Sequence, residues 1–197
     1  MKGPVRAIVV GAVLLLPGSM LLARAGWIAA KGAVGGVLID RALTATLSDG
    51  VARAPWHWAD MHPVARLRVP RLGIARPVLS NASGSAMAFG IGHVDGTAEP
   101  GAHGTCVLAG HRDSWAAFVF DLKPGDEVAL DTREGASSYR VVTTAIVRHD
   151  DGRELRAAGH DRLTLVTCWP QRGWLHSPWR YVVRCERPPG APTSPSG

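Results

Sequence analysis

Acidic side chains are absent from the beginning of the sequence. No Asp or Glu precedes Asp40, although four of the 22 Lys and Arg residues lie there and all 16 acidic residues follow. Most of the formal net charge of +6 therefore flanks the apolar N-terminal segment, and the remainder of the chain is close to neutral. This distribution argues against a nucleic-acid partner and is typical of basic residues retained on the cytoplasmic side of a membrane.

Charged residues are also scarce overall, and no internal repeat is present. Only 19% of the 197 residues are charged and 46% are hydrophobic, which excludes a disordered chain. About 130 to 140 residues remain without the two termini, which is too short for a multidomain enzyme. We predict a signal or membrane anchor with a juxtamembrane helix at 1–49, a β domain at 50–187 and a disordered tail at 188–197.

The apolar run from Ala7 to Ala23 is uncharged and follows a short basic segment. Its length of about 17 residues is at the lower limit for a membrane-spanning helix. A cleaved signal peptide is the alternative, since Ala23-Arg24-Ala25 loosely fits a cleavage site. We favour an uncleaved single-pass anchor because the sequence stays apolar beyond Arg24, and we expect the rest of the chain outside the cytoplasm.

From Ala54 onward, short apolar runs alternate with Pro and Gly, which predicts an all-β sandwich or barrel. Lys123-Pro124-Gly125-Asp126 predicts a type II turn, and Ser114 to Phe120 predicts one or two helical turns. The predicted strands are Ala65–Val69, Thr105–Ala109, Glu127–Asp131, Tyr139–Val147, Arg162–Thr167 and Arg180–Cys185.

Cys168 is the first candidate catalytic residue. It closes an alternating strand pattern, and Pro170 then ends the strand. A thiol at a strand end is accessible to a peptide, but a lone Cys is more often a packing residue. Nucleophilic use of this thiol requires a neighbouring His or cation.

His111 and Arg180 are the candidate partners of Cys168. His111 also follows a predicted strand, and Arg180 opens the strand that comes after a loop of about ten residues from Cys168. Two strands joined in this way are expected to be antiparallel neighbours, which sets Arg180 beside Cys168. The alternatives are a surface loop His and an edge cation. Arg184 shares the face of Arg180, but it lies about 13 Å further along the strand, so we favour Arg180.

These residues resemble the sortase family. Residues 164–168 read TLVTC, which matches the sortase TLxTC signature, and the upstream His and downstream Arg follow the sortase order. The chain is most similar to the class GN sortases of Gram-negative bacteria over roughly residues 25 to 186. The segments that carry this likeness are WHWAD at 56–60, PVARL at 63–67, AGHRD at 109–113 and RYVV at 180–183. Trp169-Pro170-Gln171 departs from the expected Tyr-Pro-Phe.

The resemblance implies a mainly β fold, a closed eight-stranded barrel with one or two short helices. It also implies a cysteine transpeptidase that cleaves an LPxTG-like C-terminal sorting signal and transfers the acyl group to an amine or to water. Cys168 would be the nucleophile, His111 the general acid and base, and Arg180 the oxyanion or substrate-backbone ligand. The partner would be a secreted protein, the location the periplasmic face of the inner membrane, and no cofactor is indicated.

Cys106 and Cys185 lie at odd offsets from His111 and Arg180, so they should face away from the active site. The sheet order implied by the family sets the Cys168 strand between them. Their separation of roughly 9 to 10 Å would then exceed the limit for a disulfide. We therefore predict three free thiols.

Three alternatives remain at this stage. His103-Gly104-Thr105 resembles a motif of L,D-transpeptidases, although the residues around Cys168 do not fit that class. A metal-binding module is the second alternative, and its ligands would be His93, His103, Cys106 and His111. The third is a non-catalytic barrel that grips a peptide with Trp side chains, drawn from Trp56, Trp58, Trp115, Trp169, Trp174 and Trp179.

Overall fold

The computed structural model describes residues 3–155, 159–173 and 177–188. The chain divides into two compact units, Met1–Val37 and Leu38–Gly197. The predicted tail lies, from residue 189 onward, outside the described residues, and Trp174 lies outside them as well.

A single helix, α1, runs over Gly3–Asp49, well beyond the apolar run that suggested it. Large apolar side chains such as Leu22, Trp27 and Ile28 are exposed along its first part. Among the described residues, Pro17–Asp49 is the one helical stretch that is long and apolar enough to cross a membrane, with a mean hydropathy of 1.3. Its length and composition are those expected of an anchor.

The end of α1 belongs to the second unit. Ile39, Leu43 and Thr46 recur at helical spacing and are buried there. Ile39 packs with Met61 and Leu79 in a small apolar cluster outside the main core.

The second unit is a closed barrel of eight strands. The strands are β1 (Pro63–Val69), β2 (Ile74–Leu79), β3 (Ile91–His93), β4 (Thr105–Gly110), β5 (Glu127–Thr132), β6 (Gly135–Arg148), β7 (Arg162–Trp169) and β8 (Trp179–Glu186). Their order around the barrel is β1-β2-β3-β4-β7-β8-β6-β5. The prediction of a mainly β, closed eight-stranded barrel is confirmed.

All six predicted strands are present, and β2 and β3 are additional. Pro77 lies within β2, and β3 has only three residues including Gly92, so neither has the residue pattern of a strand. The two strands pair in parallel, as do β4 and β7, whereas every other pair is antiparallel.

Alternate side chains of each strand fill the barrel. In β1 the buried positions are Ala65, Leu67 and Val69, separated by partly exposed residues. This period of two matches the pleat of a strand that is packed on one face. The core continues through Leu108, Leu130, Tyr139, Leu163, Leu165 and Val183.

Short helical segments connect the strands. The α-helix α2 (Gly84–Met87) is capped by Ser83, whose hydroxyl accepts a hydrogen bond from the Ala86 amide. Three 3₁₀ segments cover Pro70–Leu72, Ala117–Asp121 and Gly152–Leu155.

The predicted turn at Lys123–Asp126 is confirmed. Gly125 has φ of +94°, and the Asp126 amide donates to the Lys123 carbonyl at 3.0 Å. A positive φ at the third residue is what a type II turn requires of its glycine.

Candidate active site

The three candidate residues lie at one end of three adjacent strands. β7 is in the middle, with β4 on one side and β8 on the other. Cys168 is directly opposite Arg180, and Thr167 is opposite Gly110. Because β4 and β7 are parallel, His111, which follows Gly110, is level with Cys168, which follows Thr167. The strand register therefore aligns His111, Cys168 and Arg180 in one row, which we call the catalytic row.

The catalytic row faces away from the barrel core. Cys106, Leu163 and Cys185 are opposite one another and belong to the core. Cys168 and Arg180 are an odd number of residues away from Leu163 and Cys185, so they point to the opposite face. We call this side of β4, β7 and β8 the outer face. The parity predicted for Cys106 and Cys185 is confirmed.

Two further rows follow the catalytic row on the outer face. Ala109 and Val166 in the second row are partly exposed. The full rows, in register, are Ala109, Val166 and Val182, and then Val107, Thr164 and Arg184. Rows are two residues apart along each strand, about 6.6 Å, so the outer face from the first to the third row measures about 13 Å. Val107, Thr164 and Val182 are buried, so a peptide can reach only the part of this face that lies nearest the catalytic row.

The third row is covered by the 3₁₀ segment that precedes β7. Both oxygens of the Glu154 carboxylate accept hydrogen bonds from Arg184, one of them at 2.9 Å from Nε. These bonds raise the pKa of the Arg184 guanidinium. Arg184 is opposite Thr164, two rows from Cys168, and its donors are directed to Glu154. The structure thus gives Arg184 a role in holding the segment Gly152–Leu155.

His111 is exposed, and the backbone around it is held closely. Its carbonyl accepts hydrogen bonds from the amides of Ser114 and Ala116, which turns the chain back after β4. The hydroxyl of Thr167 donates to the Gly110 carbonyl at 2.8 Å in a buried position. The residue before Cys168 is therefore bonded to the residue before His111.

Gly110 is required where this turn approaches the barrel. A Cβ there would lie 2.8 Å from the Cβ of Ala116 and 3.1 Å from Cδ1 of Ile91. These separations are below the usual contact distance of carbon atoms, so a larger residue would displace the turn that carries His111.

Cys168 is partly exposed, and aromatic rings lie on the other side of its strand. Trp169 stacks on Tyr181 with ring centroids 5.8 Å apart, and Phe120 contacts both rings. Such ring contacts stabilise the ends of β7 and β8 next to the thiol.

The Arg180 side chain is partly buried. Its Nη1 donates to the carbonyls of Ser177 and Trp179, at 2.9 and 3.0 Å. Within the described residues no hydrogen bond occupies its Nε or Nη2, so these donors can serve a bound anion or carbonyl.

The other two cysteines cannot act as nucleophiles. All three thiols are free, but Cys106 and Cys185 are completely buried. Burial raises the pKa of Cys106 and raises that of Cys185 to about 12. Both remain protonated at neutral pH, and they are separated by β7, as the family resemblance implied.

The residues of the proposed metal module are not brought together. His93 is buried in β3, where its Nε2 is 2.9 Å from the Ala98 carbonyl. His103 is exposed and pairs with Asp161, whereas His111 lies at the opposite end of β4 from Cys106. In the part of the chain that the structure describes, no group of three or more His, Cys, Asp or Glu residues could hold a metal ion.

Sequence reasoning did not identify Thr167, Glu154 or Arg112 as contributors to the site. Thr167 belongs to the TLVTC segment, so its hydrogen bond to Gly110 had a signal in the motif. Glu154 and Arg112 act through loops whose positions depend on tertiary structure, and neither has a local pattern that reveals its partner.

A sortase domain family model matches residues 67–188, more than half of the chain. This chain belongs to the sortase family. The resemblance drawn from residues 164–168 is confirmed at the family level, and the match decides against the L,D-transpeptidase alternative. No curated protein matches the chain.

Solved sortase structures have the same fold as this sortase. A Clostridium perfringens sortase D5 transpeptidase is 18% identical, with a TM-score of 0.65 and coverage of 79% of this chain and 98% of that one. Sortase C-1 from Actinomyces oris is 28% identical, with a TM-score of 0.58 and coverage of 64% and 75%. Sortase C1 from Streptococcus suis is 24% identical, with a TM-score of 0.59 and coverage of 64% and 73%.

Proposed function

We propose that this sortase is a cysteine transpeptidase in which Cys168 is the nucleophile, His111 the general acid and base, and Arg180 the oxyanion ligand. The observation that carries the proposal is the catalytic row, in which the strand register aligns these three residues on the outer face. A thiol, an imidazole and a guanidinium are the groups that acyl transfer through a thioester requires.

The reaction proceeds in two balanced steps. The Cys168 thiolate attacks a peptide carbonyl, and the donors of Arg180 stabilise the negative charge on its oxygen. The C–N bond then breaks, and His111 in its protonated form gives a proton to the departing amine, which leaves a thioester. An incoming amine attacks that thioester and loses a proton to His111, and the sulfur departs as thiolate. Water in place of the amine gives hydrolysis.

The substrate proposed for the outer face is an LPxTG-like C-terminal sorting signal of a secreted protein. Resemblance to class GN sortases supports this choice, together with the partly exposed apolar surface at Ala109 and Val166. An extended peptide placed there would present a carbonyl to Cys168. Trp169-Pro170-Gln171 departs from the class GN pattern beside this surface.

The location proposed for the enzyme is the inner membrane, with the barrel in the periplasm. The apolar helix and the basic residues that precede Asp40 support this arrangement. Full-length protein should remain in the membrane pellet after alkaline carbonate extraction. Release into the supernatant would contradict the anchor.

The test of the activity uses peptides of sequence LPxTG with the third residue varied and hydroxylamine as a small amine. Wild-type enzyme should cleave at least one peptide and form its hydroxamate. Cys168→Ala should abolish both products, and His111→Ala and Arg180→Ala should each lower the rate by about a hundredfold or more. If wild-type enzyme is active in this assay but His111→Ala and Arg180→Ala react at the wild-type rate, the roles assigned to His111 and Arg180 are wrong.

A further inference from the structure

The side chain of Arg112 links the loop that follows β4 to the loop that follows β7. Its Nη1 donates to the Pro170 carbonyl at 2.9 Å, and its Nη2 donates to the Gly173 carbonyl. Nε lies 3.5 Å from the exposed carboxylate of Asp113. Although the head group is charged and belongs to a loop residue, the side chain is only 11% exposed.

Both ends of this link lie next to the catalytic row. Arg112 immediately follows His111, and Pro170 is the second residue after Cys168. A guanidinium is rigid and planar, so two bonds from its two terminal nitrogens fix both the separation and the orientation of the carbonyls that accept them. The Thr167 hydroxyl joins the same two chain segments on the barrel side of the row.

The packing of Gly173 fits this arrangement. A Cβ on Gly173 would lie 3.6 Å from Nη1 of Arg112 and 3.3 Å from Cγ of Pro170. The loop backbone therefore packs against the guanidinium, in addition to accepting its two hydrogen bonds. Acyl transfer through Cys168 and His111 is sensitive to such contacts, because an error of about 1 Å between reacting groups costs about a hundredfold in rate.

We propose that Arg112 is a positioning residue that sets the distance between the imidazole of His111 and the thiol of Cys168. The proposal rests on the proposed function, since it assumes that these two groups work together. Arg112 acts through the Pro170 and Gly173 carbonyls, and its charge by itself is not sufficient.

The test measures alkylation of Cys168 by iodoacetamide at pH 6 and pH 9. In general, an imidazolium close to a thiol favours the thiolate at pH 6, whereas at pH 9 a thiol ionises without such a neighbour. The ratio of the alkylation rate at pH 6 to the rate at pH 9 therefore reports how closely the imidazole approaches the thiol. His111→Ala should lower this ratio about tenfold. Arg112→Ala should lower it at least fivefold, and Arg112→Lys, which keeps the charge but lacks the two-pronged geometry, should stay at least threefold below wild type.

Arg187→Ala is the matched control. Arg187 is also nearly buried and also donates to a loop carbonyl, that of Gly101, but it follows the far end of β8. Its replacement should lower the melting temperature and leave the alkylation ratio at the wild-type value.

The outcomes separate this proposal from the function beneath it. A lowered ratio in His111→Ala with a wild-type ratio in both Arg112 variants would overturn the positioning role and leave the proposed function standing. A wild-type ratio in Arg112→Lys alone would assign the effect to charge and also overturn it. If neither Arg112 variant folds, Arg112 is a stability residue and the proposal is wrong. A wild-type ratio in His111→Ala would contradict the proposed function itself.

Discussion

Three cysteines of one sequence have different chemistry because of where the strand register directs them. Cys106 and Cys185 point into the core, where burial raises the pKa of each, and Cys168 points to the outer face. Parity along β4 and β8 was readable from the sequence, since it needs only the positions of the cysteines relative to His111 and Arg180.

Iodoacetamide should therefore modify one thiol of the native protein and three of the unfolded protein without reductant. At Cys106 and Cys185, burial blocks access of the reagent and keeps the thiol protonated, whereas Cys168 is partly exposed. Peptide mapping by mass spectrometry identifies the modified residue. Native modification of Cys106 or Cys185, or fewer than three modified thiols after unfolding, would contradict this account.

Replacement of Arg180 should affect mainly turnover, whereas replacement of Arg184 should affect mainly stability. Arg184→Ala should leave turnover near normal, because Arg184 lies about 13 Å further along the strand than Arg180. The structure adds that Arg184 holds Glu154, a nearly buried carboxylate. Removing a hydrogen-bond partner of a charged group costs about 1.5 to 3 kcal/mol, so Arg184→Ala should lower the free energy of unfolding by roughly that amount.

A double-mutant cycle with Glu154→Gln checks this assignment by urea denaturation. The stability loss in Arg184→Ala should shrink when Glu154 is also replaced, since no charge is then left unpaired. The alkylation rate of Cys168 should be unchanged in Arg184→Ala. Additive stability effects, or a large fall in that rate, would show that Arg184 serves something other than Glu154.

At the scale of elements, the turn after β4 depends on one close approach. Gly110→Ala should push the turn away from Ala116, cost about 1 to 3 kcal/mol in stability as an overpacked site, and lower peptide turnover more than tenfold. Gly84→Ala in α2 is the control, because a Cβ there meets nothing within 4 Å. Equal turnover in the two variants would show that the position of the His111 turn does not matter.

A second element, the turn Lys123–Asp126 that precedes β5, makes the free energy of unfolding depend on pH. Arg71 donates two hydrogen bonds to Asp126 and thereby lowers the pKa of this carboxyl. Because the folded-state pKa is below the unfolded value of about 4, the pairing stabilises the fold above that pH and is lost as the pH falls through the folded value. Asp126→Asn should be less stable than wild type at pH 7.

Urea denaturation at pH 7 and pH 3 tests that dependence. The difference in the free energy of unfolding between wild type and Asp126→Asn should narrow at pH 3, because pH 3 is below the unfolded-state pKa of about 4 and protonation of this carboxyl in the unfolded chain then favours unfolding of wild type. A difference of the same size at both pH values would indicate that the charge of Asp126 contributes nothing.

Elements with a clear residue pattern were predictable, and elements defined by their neighbours were not. Alternation identified the strands around Cys168 and Arg180, and Pro124-Gly125 identified the turn before β5. β2 contains Pro77 and β3 is very short, so β2 depends on its pairing with β1, and β3 depends on its pairing with both β2 and β4. The loop contacts of Arg112 and Glu154 join residues 30 to 61 positions apart, which no local pattern encodes.

At the scale of the whole molecule, the site exists because β4 lies parallel to β7 while β8 runs antiparallel to it. The loop between Cys168 and Arg180 predicted the second pairing. The first joins strands that are more than fifty residues apart, and it was available only through the family resemblance. His111 is distant in sequence from both Cys168 and Arg180. It joins the catalytic row only because the folded barrel pairs β4 with β7.

The most direct test of the catalytic row is to isolate the covalent intermediate. Wild-type enzyme is mixed with a peptide that it cleaves, and the reaction is quenched in acid. After digestion, the enzyme-derived peptide that contains Cys168 should be heavier by the mass of the acyl part of the substrate, and hydroxylamine should remove this added mass. His111→Ala should form little of this species within the same time. Product formation without any adduct on Cys168, or an adduct on Cys106 or Cys185, would contradict the account.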